Sequence, residues 1–476
     1  MSLTHALKWS FLSELASKLV QPVVFVVLAR LLTPEDFGVM SAALMVMAFS
    51  QIFWEAGMGK ALIQRQTDVE TAANVAFWVN LGLSVIIAGL LYIAAKPIAQ
   101  TFFQDLRVTA VIQVMTFQVF LGALGSVQTA QLQKEMAFKK LFWVRLVTVS
   151  LPGLASMPLA WQGMGYWALV VGTLVGQVAQ VAMLWRVSLW RPSWAFRIPV
   201  AKEMGRFGAW VGLSGLLAWF YAWVDALIVG MYLGSHDLGL YRTGNQFSTM
   251  VFALLLSPIA PVLYSHLSRM NGDRDKIRMT AEKLIRVLII IVVPVAVILF
   301  SVSGSLDAVL FGDKWEGVGL VIGVMALMHG FSWIVGMNGE FYRAMGKPKY
   351  ETIVTGGALL AYLAGYLYSI GYGFECFVWT RLFLALLVLM LHLFVLKKAL
   401  QLNLGRIFYG IALVTSVSFF VALAVSYILR AYDFNAWVQL LMGGLISTLI
   451  VGGILFYLEK DRTVQELFAI LKRAGK

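Results

Sequence analysis

Long apolar stretches recur along the whole chain, and short polar turns separate them. A helix needs about 20 apolar residues to cross a bilayer, so the pattern predicts an all-α polytopic membrane protein with about fourteen transmembrane helices. The predicted spans, numbered in chain order, are Ser10–Leu32, Phe37–Met58, Asn74–Ala95, Val108–Gln128, Leu141–Trp161, Gly165–Trp185, Met204–Leu233, Leu238–Tyr264, Leu284–Ser303, Val318–Tyr342, Thr352–Ile370, Phe374–Leu396, Ile407–Leu429 and Ala436–Leu458.

The first span carries a polar face. Its polar side chains recur at helical spacing and are Ser10, Ser13, Glu14, Ser17, Lys18 and Gln21. A charge near the bilayer centre costs about 3 kcal/mol. We therefore expect this face to turn toward other helices or water. A second interpretation stays open, because Glu14 and Lys18 are four residues apart and are able to neutralise each other as a structural pair.

Composition supports the membrane assignment. Of the 476 residues, 60% are hydrophobic and 13% are charged, whereas soluble domains have about 25% charged residues. Because the apolar run continues past Val20 without a small-residue cleavage site, we expect the first span to be retained. A single cysteine, Cys376, excludes a disulfide framework or a cysteine metal cluster within the chain.

The basic residues predict the orientation. Most of the 37 lysines and arginines fall in alternate connections, which a cytoplasmic N-terminus would place on the inner side. An even number of spans then makes the C-terminus cytoplasmic too. We expect a multi-pass protein of the bacterial inner membrane whose charge of +13 faces anionic lipid, with no nucleic acid as partner.

A weak internal repeat predicts the domain organisation. The turn Leu32–Gly38 matches Leu233–Gly239, and Gly163–Tyr166 matches Gly371–Phe374. An even number of spans per repeat predicts two parallel six-helix lobes, residues 1–203 and 204–400, followed by two C-terminal helices and an amphipathic cytoplasmic tail in 401–476. Coincidence among glycine-rich turns is the alternative.

Polar side chains inside the spans are candidates for a transport pathway, since lipid disfavours them. The candidates are Glu55 in span 2, Asp225 in span 7, Arg242, Asn245 and Gln246 in span 8, His329, Trp333, Glu340 and Arg343 in span 10, and Arg381 in span 12. Each also has a structural interpretation. Those near span ends can reach the interface, and buried ones can pair with a neighbour.

Several motifs resemble one family. They are Leu28–Gly38, Gly57–Gln66, Gln133–Phe138, Phe207–Trp210 and Phe311–Trp315. Together they resemble bacterial polysaccharide transporters, the Wzx-like members of the multidrug/oligosaccharidyl-lipid/polysaccharide (MATE-like) flippase superfamily, in the colanic-acid-exporter branch. The resemblance implies alternating access between two lobes and a cargo of undecaprenyl-pyrophosphate-linked oligosaccharide for polysaccharide export.

The resemblance also suggests roles for the candidates. Lys18 and Arg381 are assigned to pyrophosphate contact, with Arg242 and Arg343 as guides. The polar or aromatic wall of the cavity is assigned to Ser13, Ser17, Gln21, Asn245, Gln246 and Trp333. Ion coupling is assigned to Glu14, Asp225, Glu55 and Glu340. No phosphate loop, dinucleotide fingerprint or hydrolase motif occurs. We therefore expect a non-enzyme without cofactor or metal, driven by a proton or cation gradient or by the membrane potential.

Two other functions remain open at this point. A small-molecule or cation antiporter of the same fold would favour an acidic cavity without fixed cations. A membrane glycan polymerase or ligase would need a long catalytic loop, and the connections here are short. Expected partners are the lipid-linked oligosaccharide and membrane lipids, with a polysaccharide polymerase and a chain-length regulator as further candidates.

Overall fold

Helices make up nearly all of the computed structural model, which describes residues 20–256, 273–347, 349–432 and 434–458. No β-strand occurs within these ranges. The helices are α1 Val20–Leu31, α2 Pro34–Glu55, α3 Met58–Gln64, α4 Val69–Ile98, α5 Arg107–Lys134, α6 Phe138–Trp161, α7 Tyr166–Val187, α8 Ile198–Leu256, α9 Arg274–Leu306, α10 Val318–Ile334, α11 Asn338–Ala344, α12 Lys349–Ser369, α13 Phe374–Leu400, α14 Leu404–Ala431 and α15 Ala436–Leu458.

The predicted all-α polytopic fold is confirmed. Among the described residues, 12 segments are long and apolar enough to cross a membrane. One of them, α8, contains two predicted spans, and α1 is the described part of the first span. The described helices therefore correspond in order to the fourteen predicted spans.

A single glycine divides α8. Gly234 has φ 84° and ψ −173°, which is not helical. Glycine adopts this conformation without a side-chain clash, so the chain turns here between two spans. We call the part before it α8N (198–233) and the part after it α8C (235–256).

The second span begins and ends three residues earlier than its apolar pattern predicts. Helix α2 ends at Glu55, because Ala56 and Gly57 adopt left-handed conformations with φ 43° and 64°. Part of the connection that follows α2 is itself helical and forms the short helix α3. The ammonium group of Lys134 caps this helix by donating to the carbonyls of Leu62 and Arg65.

Span 10 is also interrupted. Helix α10 ends at Ile334 and α11 begins at Asn338. The amide groups of Val335 and Gly336 bond three residues back, at 3.2 Å, instead of continuing the four-residue ladder. The span 10 candidates therefore lie on two helices, with His329 and Trp333 on α10 and Glu340 and Arg343 on α11.

The chain forms two compact units, residues 1–242 and 243–476. In the first unit α4 packs on α5, α6 packs on α7, and α5 also contacts α2 and α7. In the second unit α9 contacts α10, α14 and α15, and its buried valines, leucines and isoleucines form the centre of the core. A helix that is apolar on most sides is expected at such a central position. The predicted lobe boundaries 1–203 and 204–400 stay a prediction.

The two copies of the repeated turn contact each other within the first unit. Position 35 in the first copy corresponds to position 236 in the second, and the Glu35 carboxylate lies 2.6 Å from His236 Nδ1. The helices cross closely at Gly38 and Gly239, where a Cβ atom on either would meet the backbone of the other turn. Small residues allow helices to approach in this way.

Further hydrogen bonds tie this contact to neighbouring turns. Asp36 accepts from the Tyr166 amide at 2.8 Å, and Asp105 accepts from the Ser235 hydroxyl at 2.7 Å. Asp105 also binds the Arg107 guanidinium at 2.8 Å. Burial alone would raise the pKa of Asp105, but the hydrogen bonds from Arg107 and Ser235 outweigh burial and hold this pKa below its ordinary 3.8.

Candidate functional site

A cavity of about 450 Å³ lies within the first unit, between α2, α5, α7 and α8N. Its polar lining consists mainly of amides. These are Gln51 on α2, Gln118 on α5, and Gln177 and Gln180 on α7. Two indole rings, those of Trp54 and Trp223, and the carboxylate of Glu55 complete the chemically distinctive part of the wall. The volume falls in the range of about 300–1,000 Å³ that is typical of ligand sites.

Two of these glutamines, Gln51 and Gln118, differ in their hydrogen bonding. Gln51 Nε2 donates to Glu55 Oε2 at 3.1 Å, one helical turn away on α2. By contrast, Gln118 Oε1 is buried and accepts no hydrogen bond from the described residues. An unsatisfied buried acceptor costs about 1–3 kcal/mol. Gln118 is therefore a group that a ligand could satisfy.

Neighbouring residues hold the wall in place. A Cβ atom at Gly122 would lie 2.9 Å from the Trp54 ring, so this glycine allows the indole to lie against α5. Fully buried Asn80 joins α2 to α5 in the amide orientation that satisfies both of its polar atoms. Its nitrogen donates to the Trp54 and Glu55 carbonyls at 3.2 Å, and its oxygen accepts from Ser126 at 3.0 Å.

Glu55 is the only ionisable residue among the described residues that line this cavity. Amide groups both donate and accept hydrogen bonds, and indole rings offer broad apolar faces with one polar N–H. This combination suits a neutral ligand with many hydroxyl groups and some apolar surface. The single carboxylate would also attract a cation.

Of two predicted site residues near the end of the first unit, Arg242 contacts the cavity wall and Asp225 does not line it. The Arg242 guanidinium stacks on the Trp223 ring at 4.1 Å from its centre. Asp225 is 1% exposed and accepts a 2.6 Å hydrogen bond from the Tyr241 hydroxyl. Arg242 is thus one ring away from the cavity, whereas Asp225 is enclosed by protein.

In the second unit a different group of polar side chains comes together. His329 Nε2 lies 3.1 Å from Asn245 Oδ1 and 3.0 Å from Thr249 Oγ1. Arg381 donates to the Tyr366 hydroxyl at 2.6 Å. Gln246 is exposed, and half-buried Trp333 packs against the core around α9.

Arg343 and Glu340 on α11 form an ion-paired group with Glu351 in the first turn of α12. The Arg343 guanidinium is 2.6 Å from Glu340 and 3.0 Å from Glu351. Both residues are therefore engaged with each other, and the arginine charge is balanced locally. The assigned roles of Arg343 as a guide and Glu340 in coupling stay predictions.

The remaining predicted positions belong to the first span. Ser13, Glu14, Ser17 and Lys18 lie outside the described residues, and Gln21 is exposed at the beginning of α1. Their assignment to a cavity also stays a prediction.

Sequence reasoning missed most of the amides that line the cavity. Gln118, Gln177 and Gln180 are polar residues inside apolar spans, and Gln177 and Gln180 are three residues apart on one face of α7. That spacing indicates a polar face on α7 and could have identified these two glutamines as candidates. It is weaker than a charge, because an amide costs less to bury than an ion.

The fold matches that of a solved membrane transporter. The structure of lipid II flippase MurJ in an inward closed conformation superposes with a TM-score of 0.72, at 13% sequence identity, over 95% of this chain and 99% of that one. Fold and cavity together define a polytopic membrane protein with a cavity whose wall carries four glutamines and one glutamate.

Sequence comparisons identify the family. The family model described as polysaccharide biosynthesis protein matches residues 27–319, so the chain belongs to that family. The succinoglycan biosynthesis transport protein ExoT of Rhizobium meliloti is 27% identical over 69% of this chain and 66% of its own length. The lipopolysaccharide biosynthesis protein WzxC of Escherichia coli is 23% identical over 65% of this chain and 63% of its own length. The predicted family resemblance is confirmed.

Proposed function

We propose that this protein is a flippase that carries a polyprenyl-pyrophosphate-linked oligosaccharide across the bacterial inner membrane for polysaccharide export. The observation that carries the proposal is the cavity in the first unit, whose wall combines four glutamines with two tryptophans. The family and the fold shared with MurJ support the same conclusion.

The chemistry of a glycan explains why such a cavity is needed. Sugar hydroxyls lose their hydrogen bonds to water when they enter hydrocarbon, at a cost of several kcal/mol each. Amide side chains replace water as donors and acceptors, and indole faces pack against the apolar faces of sugar rings. A cavity lined in this way substitutes for water during the crossing.

The pyrophosphate requires cations as well as amides. Arg242, which stacks on Trp223 of the cavity wall, is the candidate cation beside this cavity, and Arg381 of the second unit stays a separate candidate. In this proposal both termini face the cytoplasm, the two lobes open alternately to either side, and an ion gradient or the membrane potential drives the cycle.

The test uses bacteria depleted of this protein and supplied with variants. Gln118→Leu combined with Gln177→Leu removes two amides from the cavity without changing the charge. We expect surface polysaccharide to fall at least tenfold, since each lost hydrogen bond costs about 1 kcal/mol. The lipid-linked oligosaccharide should accumulate inside the cell, as measured by mass spectrometry of extracted lipids.

Gln113→Leu is the matched control, because Gln113 lies on the same helix as Gln118 but does not line the cavity. It should leave export unchanged at an equal protein level. Normal export by the double variant would show that the cavity does not carry the glycan.

A second candidate function rests on Glu55. As the single ionisable group among the described lining residues, it gives this cavity the acidic character of a small-molecule or cation antiporter. Depletion separates the two functions. Loss of a flippase causes lipid-linked oligosaccharide to accumulate, whereas loss of an antiporter increases sensitivity to cationic compounds and leaves that lipid pool unchanged.

A further inference from the structure

Two helices of the second unit correspond to two helices that form the cavity wall in the first. Helix α8C lies against α10, where the Ser248 hydroxyl donates to the Ile322 carbonyl at 2.9 Å. In the first unit α2 packs against α5. The repeated turns Leu32–Gly38 and Leu233–Gly239 lead into α2 and α8C. The second unit thus contains a helix pair equivalent to part of the cavity wall.

Polar side chains on α8C occupy positions that are apolar in the first unit. In the register of the repeated turns, Asn245 and Thr249 correspond to Leu44 and Ala48, which line the first-unit cavity. Asn245 is partly exposed, and Thr249 is exposed. Hydrocarbon disfavours such groups, so this face of α8C is suited to a polar ligand.

Helix α10 corresponds to α5 in the same way. Counted from the N-caps of the two helices, His329 and Trp333 correspond to Gln118 and Gly122, which also line the first-unit cavity. Gln118 offers that cavity an acceptor that is without a partner among the described residues. His329 and Trp333 are four residues apart and so lie on one face of α10.

The hydrogen bonds of His329 identify its protonated ring nitrogen. Nε2 lies 3.0 Å from Thr249 Oγ1, and this hydroxyl already donates its one hydrogen to the Asn245 carbonyl at 2.8 Å. The Thr249 oxygen must therefore accept, so Nε2 carries the proton of the neutral imidazole and Nδ1 is an acceptor. Asn245 Oδ1, 3.1 Å from Nε2, is a second acceptor for the same proton. No group in the described part of the chain donates to Nδ1, and His329 is partly exposed.

Trp333 supplies a donor one helical turn further along. Its half-buried indole packs against the core around α9, and none of the described residues accepts a hydrogen bond from its Nε1. An acceptor on His329 and a donor on Trp333 match hydroxyl groups, which both donate and accept. The indole also offers an apolar face to a sugar ring.

We propose that α8C and α10 form a second sugar-binding surface, in which His329 Nδ1 accepts from one hydroxyl of the glycan and Trp333 Nε1 donates to another. This inference rests on the proposed function and adds two recognition residues to it. Neither hydrogen bond involves a charged group, so this surface recognises the sugar part of the cargo and not its pyrophosphate.

Two substitutions at His329 separate sugar binding from packing. The amide of asparagine lies near the place of Nδ1, whereas the longer glutamine carries its amide near the place of Nε2. His329→Asn therefore keeps the acceptor for the sugar and loses the contacts with Asn245 and Thr249, and His329→Gln does the reverse. We expect His329→Gln to weaken binding about fivefold, the usual effect of one hydrogen bond, and His329→Asn to bind like the wild type.

Binding is measured on the purified full-length chain with the lipid-linked oligosaccharide extracted from cells depleted of this protein. Export by the same variants in those cells, at equal protein level, is the second readout and should follow the same order. The opposite order indicates that the Nε2 contacts matter only for packing. That order, equal loss in both variants, or wild-type binding by both would overturn the role of His329.

Trp333→Phe tests the donor, because it keeps an aromatic ring and removes the N–H group. We expect a loss of about fivefold here too. Trp437→Phe is the matched control, since it makes the same change at an exposed indole on α15. Equal binding by these two variants would overturn the role of Trp333.

Depletion of the protein distinguishes this inference from the function on which it rests. If depletion leaves the pool of lipid-linked oligosaccharide unchanged, the proposed function fails and the sugar-binding surface fails with it. If the lipid accumulates on depletion but His329→Gln and Trp333→Phe bind and export like the wild type, only the sugar-binding surface is overturned.

Discussion

The close crossing of the repeated turns predicts a sharp steric effect. Gly38 on α2 and Gly239 on α8C are corresponding positions of the repeat, and each faces the backbone of the other turn. A methyl group on Gly38 would overlap the Ser235 carbonyl. One on Gly239 would overlap the Pro34 carbonyl. We expect either alanine substitution to force the two turns apart.

The size of the destabilisation depends on what the added methyl group meets, which at Gly38 is the Ser235 carbonyl. Overpacking a well-packed site costs about 1–3 kcal/mol, and a backbone carbonyl cannot rotate away as a side chain can. We expect the upper part of that range for Gly38→Ala. Replacing a helical glycine by alanine returns about 0.5–1 kcal/mol through helix propensity. The net loss should be about 2 kcal/mol.

The assay is the free energy of unfolding in mixed micelles, measured by titration with a denaturing detergent. Gly82→Ala is the matched control, because Gly82 is exposed on α4 and a Cβ atom there meets nothing within 4 Å. It should be neutral or slightly stabilising. Combining Gly38→Ala with Gly239→Ala should cost less than the sum, since either one already separates the turns. Equal stability of Gly38→Ala and Gly82→Ala would refute the close crossing.

Two further predictions concern ionisable groups. Because hydrogen bonds lower the pKa of Asp105 in the folded protein, its stabilising effect is present above its ordinary pKa of 3.8 and is lost as the pH falls through the lowered folded value. The wild-type protein should therefore melt higher than Asp105→Asn near neutral pH, with the difference shrinking below pH 3.8; a constant difference would contradict this. For ion coupling, wild-type export should fall when the proton gradient is collapsed, and Glu55→Gln should remove that response. Asp225→Asn is the comparison and should keep the response, since Asp225 is enclosed by protein.

The fold could be predicted largely because lipid imposes a simple rule. Every backbone polar group in the membrane must be bonded internally, so each apolar stretch of sufficient length becomes a helix. Local breaks within spans follow other causes. The left-handed residue Ala56 and the interruption after Ile334 depend on contacts and backbone conformations that an apolar pattern does not reveal.

The repeat shows what the sequence could and could not provide. Matching Leu32–Gly38 with Leu233–Gly239 located two equivalent turns between helices. Nothing in the pattern showed that the turns contact each other, because periodicity assigns a residue to a helix face without identifying the neighbour of that face. The 2.6 Å approach of Glu35 to His236 is visible only in three dimensions.

At the candidate site, the sequence pattern pointed to charged residues, whereas most of the polar groups that line the cavity are neutral amides. Glu55 was selected because an ion inside a span is costly, and it does line the cavity. The glutamines of α5 and α7 were not selected, since a neutral amide is less costly and so less conspicuous. The cavity became recognisable only when three helices brought these moderate signals to one place.

This preference for amides is physically consistent with the proposed function. A carrier must bind its cargo strongly enough to admit it and weakly enough to release it. A cation inside a low-dielectric cavity would hold a pyrophosphate tightly. Neutral amides and indoles distribute modest contacts over a whole glycan, so no single contact fixes it. With Arg242 behind Trp223 and Arg381 in the other unit, the fixed guanidinium groups lie outside the lining of this cavity. In the proposed transport cycle, the glycan would leave the amide-lined wall without breaking a buried ion pair there.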